Sequence, residues 1–311
     1  MILFLLRRLG WGALVICFLV SCTFAITVLL PADPVHAILG PHGDAATIMN
    51  IRHQLCLDRS RLAQYGCFVG RVAHGDLGQS FRTQRPVADI LLEHLWPTLQ
   101  LTLGALFLQL LIGVPIGILS ALKRNRAPDL IGQALTLIGQ SIPIFTLGPL
   151  LLYFVAYRFD WLPVSGYGAS GWDRIRHLIL PALTLAMAGA AYYARLLRTE
   201  LIEVLDEDYV RTARAKGLSQ ARVVIVHGLR NALMPLLTLV GLDLGVLLGG
   251  AVVTEYIFAW PGIGREAVTS ILNVDLPVIV GIVLISGVMI VVASLLVDIG
   301  YALLDPRVRL D

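Results

Sequence analysis

The sequence predicts an all-α integral membrane protein with six transmembrane helices, and three observations carry that prediction. The 311-residue chain is 57% apolar and only 14% charged, and its mean hydropathy is +0.79, a balance outside the soluble range. Six apolar stretches, near residues 9–30, 98–121, 130–157, 178–194, 231–254 and 278–304, are long enough to cross a hydrocarbon core of about 30 Å. Lysine and arginine are distributed asymmetrically around those stretches. In lipid no water satisfies backbone N–H and C=O groups, so each stretch is expected to be a helix.

The asymmetry sets the orientation. With the N-terminus inside, the inner segments hold Arg7, Arg8, Lys123, Arg124, Arg126, Arg195, Arg198, Arg211, Arg214, Lys216, Arg222, Arg230, Arg307 and Arg309, 14 of the 24 basic residues. Six more (Arg52, Arg59, Arg61, Arg71, Arg82 and Arg85) lie in the outer loop 31–97, which is long enough to translocate largely regardless of charge. Both termini are therefore expected in the cytoplasm. The net charge of +3 follows topology and gives no support to nucleic-acid binding.

The first stretch has a 22-residue apolar run, longer than a signal-peptide core, and no small-x-small cleavage site follows closely, so it reads as a retained helix. Cys17 and Cys22 lie inside it and serve as small apolar groups. In the outer loop, Cys56 and Cys67 lie in the compartment where disulfides persist, and a bond between them is expected. Closing so short a loop would contribute roughly 2–3 kcal/mol. Metal binding is the weaker reading, because two cysteines with His53 nearby do not complete a tetrahedral set. His36, His42, His74, His94 and His177 are scattered and read as surface residues.

Pro115 in the second stretch, and Pro143 and Pro149 in the third, each remove a helix hydrogen bond. In the fifth stretch Asp243 stands out as an intramembrane carboxyl group. It either faces a water-filled pathway or bonds to a neighbouring helix. Around it Gly241, Gly245 and Gly249 recur every four residues, a spacing that lets another helix approach closely.

Between the fourth and fifth stretches lies a charged segment, LDEDYVRTARAKGLSQARVVIVHGLRNALMP, residues 205–235. Asp206 is a candidate N-cap, with Glu207 and Asp208 in the first turn where the helix dipole favours negative charge. Arg214 and Lys216 fall in the last turn, and Gly217 supplies the left-handed residue that ends the helix. Ser219 is placed to cap a second helix carrying Arg222, His227 and Arg230. Glu207 and Asp208 stand four and three residues before Arg211, each pair contributing about 0.2–0.5 kcal/mol. An ordinary solvated loop helix would have the same pattern.

The sequence contains no GxxxxGK[ST] phosphate loop, no HExxH, no G-x-S-x-G and no CxxC pair. The chain is read as having no motor of its own, no catalytic residues and no metal site.

The segment RTARAKGLSQARVVIVHGLRNALMP resembles the cytoplasmic loop of ABC-importer permeases of the dipeptide/oligopeptide/nickel branch. Further matches in the family's order are LLPADPV at 29–35, HGDLGQSF at 74–81, SIPIF at 141–145, EYIFAWPGIGR at 255–265 and LLDPRVR at 303–309. The family's general motif begins Glu-Ala-Ala six residues before its glycine. Here Arg211-Thr212-Ala213 precede Gly217, the form usual in this branch.

The resemblance implies a bacterial inner-membrane permease subunit that imports dipeptides or oligopeptides. Residues 1–97 would form an N-terminal helix and periplasmic loop, and 98–311 a five-helix permease core with its coupling region at 205–230. A second permease, two ATP-binding subunits carrying ATP and Mg, and a periplasmic solute-binding protein would complete the machine. Asp206, Glu207, Asp208, Tyr209, Arg211, Thr212, Ala213, Arg214, Lys216 and Gly217 would form the coupling helix that docks on an ATPase. Asp243 and Pro143 are candidates for the translocation pathway. The same machinery would serve nickel chelates, glutathione or another small peptide-like solute. A proton-coupled secondary transporter would instead be expected to show an internal repeat and more intramembrane carboxylates, and neither is evident.

Overall fold

A computed structural model of the chain describes residues 2–29, 49, 52–53, 56–249 and 251–304. The resemblance motif at 29–35, His36, His42, most of the motif at 303–309, and Arg307 and Arg309 lie almost wholly outside the described residues.

Four helices are long and apolar enough to cross a membrane unbroken: α1 (Ile2–Leu29), α3 (Val87–Leu122), α6 (Gly171–Leu205) and α12 (Leu276–Leu304). A short α2 (Arg61–Ala73) precedes α3. Two bent pairs complete the set, α4 (Ala127–Ser141) with α5 (Ile144–Arg158), and α8 (Gln220–Ala232) with α9 (Met234–Leu248). Between α6 and α8 sits α7 (Asp208–Ala215), and α10 (Val252–Ile257) and α11 (Ile263–Leu272) lead into α12. Among the described residues no strand forms; Gln79 and Pro86 make a single bridge.

The third expected span, 130–157, is not one straight helix. It bends by 101° at Ile142 and Pro143. Pro143 offers no N–H to continue the ladder, and its ring pushes Ile142 into an extended conformation, with φ −90° and ψ 116°. The fifth, expected at 231–254, starts earlier and ends sooner. It bends by 48° between Ala232 and Met234, where Pro235 in the first turn of α9 again interrupts the ladder. Pro97, Pro115 and Pro181 are by contrast accommodated inside continuous helices.

The centre of the fold is the extended contact of α3 with α6. Gly113 and Gly117 make it possible: a Cβ at either would come within 2.7 and 2.8 Å of the Ala190 and Ala194 carbonyl oxygens of α6. The absence of side chains lets the two backbones approach. Exposed Tyr153, Phe154, Tyr157, Phe159, Trp161 and Trp172 lie in the last turns of α5, the segment that follows it and the first turn of α6, as aromatic residues do at a membrane–water boundary. The charged segment lies at the opposite end of α6, beyond Leu205.

Beside α1, Cys56 and Cys67 are joined, with Cα atoms 6.6 Å apart. The bond ties the segment before α2 to the middle of that helix, which packs on α1 through Tyr65 and Phe68 against Phe24 and through a 2.8 Å hydrogen bond between Ser21 and Tyr65.

Candidate functional site

The charged segment folds into a short helix fastened on three sides. Asp206 is not its cap: α6 runs on through Leu205, and Asp206 closes that helix, its N–H donating to the Glu203 carbonyl. Glu207 takes the N-cap position instead, extended at φ −69° and ψ 149° and without a side-chain cap bond. Asp208 is then the acidic residue of the first turn and Arg214 the basic residue of the last. Glu207 therefore forms no pair with Arg211; the ion pair is Asp208 to Arg211 at 3.4 Å, fully at the surface and of little energetic weight.

The far end is closed more firmly. Gly217 is left-handed at φ +76°. Its N–H donates to the Arg214 carbonyl, and the Leu218 N–H reaches the Ala213 carbonyl. These are the two bonds of a Schellman stop, and Leu218 packs on the cluster that contains Ala213. Ser219 occupies the next N-cap position, also without a side-chain cap bond.

One face of α7 is buried. Val210 and Ala213 pack with Leu201 and Leu205 of α6 and Val223 and Val224 of α8. Tyr209 adds a polar tie, its hydroxyl donating to the His227 carbonyl at 3.3 Å and accepting from Asn231 Nδ2 at 2.7 Å. The other face carries exposed Asp208, Arg211, Thr212, Arg214 and Lys216. A rigid knob results, attached to the helices on either side and offering charged groups outward.

Within the spans, Asp243 of α9 accepts a 2.8 Å hydrogen bond from the Tyr193 hydroxyl of α6, so the neighbouring-helix alternative is the one the structure contains. Asp243 is not the sole intramembrane ionisable group. Asp298 of α12 pairs with Arg8 of α1 at 3.0 Å. At the inner ends of the spans, Arg198 of α6 grips the fully buried Asp129 in the first turn of α4 with two bonds of 2.6 and 2.8 Å. Of the three glycines flanking Asp243, Gly241 packs on α12, where a Cβ would collide with Val297, while one at Gly245 would meet open space. Gly249 lies near Ile290. Pro143 serves as the N-cap residue of α5 at the bend.

A second polar centre escaped the sequence reading. Glu255 of α10 is fully buried. It accepts from the Thr98 hydroxyl at 2.8 Å and the Arg265 N–H at 3.0 Å, and from the Gly264 N–H. Thr98 in turn accepts from the Ile263 N–H at 2.9 Å, and the Trp260 indole donates to the Pro97 carbonyl at 2.8 Å. A Cβ at Gly262 would strike the Glu255 carboxyl. Burial pushes the Glu255 carboxyl above the usual carboxylate range, against the pull of its donors. The segment EYIFAWPGIGR thus clamps α10 and α11 onto α3. Nearby, Asp275 accepts from the Ser80 hydroxyl and the Phe81 N–H, joining the segment 74–81 to the turn before α12.

The comparisons with known proteins agree with this architecture. Residues 113–310 match the family model "Binding-protein-dependent transport system inner membrane component", and residues 1–102 match its N-terminal companion. The chain is 43% identical over 286 residues to the glutathione transport system permease protein GsiC of Salmonella choleraesuis, covering 92% of each protein. It is 41% identical over 310 residues to GsiC of Escherichia coli, covering 99% of each. Its fold resembles an inward-facing MetNI methionine ABC transporter with TM-score 0.59 and 20% identity, over 70% of this chain and 96% of that one. It also resembles an amino acid ABC transporter with TM-score 0.54 and 19% identity, over 69% and 94%. These likenesses concern the fold alone. The chain belongs to the binding-protein-dependent transport system inner membrane component family, as a multi-pass inner-membrane permease subunit of the peptide/nickel-type branch of ABC importers.

Proposed function

We propose that the chain carries a small peptide-like solute, a dipeptide, oligopeptide or glutathione, inward across the membrane on ATP hydrolysed by other subunits. The observation that carries this is α7. Its N-terminus follows α6 after two residues, its C-terminus ends in a Schellman stop, and its inner face is locked to α6 and α8. Such an element moves as a rigid body with the helices it is attached to. A displacement applied to its charged outer face would therefore tilt α6 and α8 together, which is the form that alternating access takes in a helix bundle. Kinship with GsiC supports glutathione or a similar solute.

In this reading both termini and α7 face the cytoplasm, residues 1–97 form the outer helix and loop, and 98–311 form the core. Asp206, Glu207, Asp208, Tyr209, Arg211, Thr212, Ala213, Arg214, Lys216 and Gly217 constitute the coupling region. Asp206 and Ala213 act as framework, and exposed Asp208, Arg211, Thr212, Arg214 and Lys216 as the contact face. The partners are a second permease, two ATP-binding subunits that hold ATP and Mg, and a solute-binding protein. The chain itself performs no catalysis and binds no cofactor.

The test is affinity purification from the native membrane followed by an ATPase assay. Two ATP-binding subunits, a second permease, and hydrolysis stimulated by glutathione or dipeptides with the binding protein are expected. A chain recovered alone overturns the proposal; subunits that ignore both solutes but respond to a nickel chelate overturn the solute class.

A further inference from the structure

A cavity of about 530 Å³ lies between α3, α4 and α6, sharing only Ala194 and Arg198 with the contacts described above. Its lining is polar for a site between spanning helices. Gln133, Thr136 and Gln140 recur on α4 at helical spacing, forming one stripe roughly 10 Å long. Arg195 and Thr199 face them from α6. Arg198 is fully engaged by Asp129. The Arg195 guanidinium is exposed and has no hydrogen-bond or ion-pair partner among the described residues, and the Gln140 side chain also has none.

The remaining surface of α4 separates the occupants. Leu130, Ile131, Leu135 and Ile138 are exposed and apolar, a face suited to lipid, while exposed Leu137 lines the groove beside the polar stripe. Gln140 on the groove side is not suited to lipid; in a span such a group faces protein or a water-filled space, and Arg195 stands where the groove reaches the inner end of α6. A lipid headgroup would be met by polar groups at one level near the interface, whereas this stripe runs along the helix. Arg195 also lies toward the α7 end of α6.

We propose that this groove is the inner half of the solute's route, and that Arg195 receives a carboxylate of the passing solute there. This rests on the peptide-like solute proposed above. Every peptide with a free C-terminus carries a carboxylate, and a guanidinium donates to its two oxygens side by side. An unpartnered Arg195 is available for that contact, Gln140 offers neutral hydrogen bonds to the peptide groups behind it, and the Thr136 hydroxyl, which donates to the Gln133 carbonyl at 2.8 Å, is left as an acceptor.

The test uses the assembled importer in proteoliposomes with its binding protein, and S-methylglutathione and dialanine as probes. Arg195→Gln is expected to lower uptake of the transported probe about tenfold, and Arg195→Lys less, with assembly and solute-free ATP hydrolysis unchanged. In a Cys17→Ser, Cys22→Ser background, Thr136→Cys is expected to react with a charged thiol reagent and to be protected during dialanine or S-methylglutathione turnover. Uptake by Arg195→Gln equal to that of the wild type, or a Thr136→Cys that never reacts or is never protected, overturns the inference alone. A wild-type complex that transports neither probe overturns the solute reading, and the inference with it.

Discussion

Gly217→Val isolates the rigidity of α7 from its surface chemistry. Gly217 is left-handed at φ +76°, and a Cβ added there would meet nothing within 4 Å. The substitution therefore introduces no collision, only the backbone penalty of placing a branched residue in the left-handed region, about 1–2 kcal/mol. That penalty falls on the two bonds that end the helix, Gly217 N–H to Arg214 and Leu218 N–H to Ala213. A change of this size lowers the population with the stop intact by a factor of roughly 5–30. Insertion and packing of α6 do not depend on those bonds, so the chain should reach the membrane and assemble normally. The assay is solute-stimulated ATP hydrolysis and uptake by the reconstituted complex. Gly217→Val should uncouple the two, losing most solute stimulation, while Gly217→Asn, which tolerates the left-handed region, should retain most of it. Wild-type coupling in Gly217→Val would refute the reasoning. So would equal loss in both variants, which would point to steric exclusion at a docking surface rather than to backbone conformation.

The clamp around Glu255 yields further expectations. Glu255→Ala leaves the Thr98 hydroxyl and the Arg265 and Gly264 N–H groups unsatisfied beside a void, and should cost several kcal/mol, on the order of 1–3 kcal/mol per stranded group; the thermal midpoint of the detergent-purified complex reads it, and a midpoint like the wild type's would contradict it. Because burial raises the folded-state pKa of Glu255, the folded protein holds that proton more tightly than the unfolded chain. The contribution of this group to stability is therefore fully present below the ordinary carboxylate pKa and declines as pH rises through the raised value. A midpoint measured across pH 4–8 should be less steep in Glu255→Gln, and an unchanged slope would show that another group titrates. Asp129→Asn should destabilise by about 1.5–3 kcal/mol, because the partly exposed Arg198 guanidinium loses its charged partner and keeps one neutral acceptor. Asp129→Asn with Arg198→Met should recover part of that loss, and a double variant no better than the single would remove the pair from the account.

Hydropathy located the straight spans because α1, α3, α6 and α12 keep an apolar surface over the full hydrocarbon thickness. It erred where proline acts within an apolar run. Pro115 sits inside continuous α3, whereas Pro143 separates two helices at 101°, and a proline in an apolar run reads alike in both places. The stop at Gly217 was legible because the Schellman signal is local, a basic last turn followed by glycine. Asp206 was misassigned because an acidic N-cap and the last residue of a longer helix have the same local composition; only the continuation of α6 through Leu205 separates them. The polar centre at Glu255 was invisible for another reason. Its partner Thr98 is 157 residues away, and although Glu255 is the one charged residue between Asp243 and Arg265, nothing local to it names that partner. The pairing of Arg198 with Asp129 likewise joins the flanks of two apolar stretches, each of which alone reads as an ordinary interfacial charge.

The central claim is that the exposed face of α7 meets an ATP-binding subunit. Photo-cross-linking from Arg211 and Thr212 in native membranes tests it most directly, with exposed Leu135 on the apolar face of α4 as control. The account predicts that an ATP-binding subunit is captured from Arg211 and Thr212, that the yield changes between nucleotide-free and ATP-bound membranes, and that nothing of the kind is captured from Leu135. Capture from Leu135 and none from α7 would contradict it.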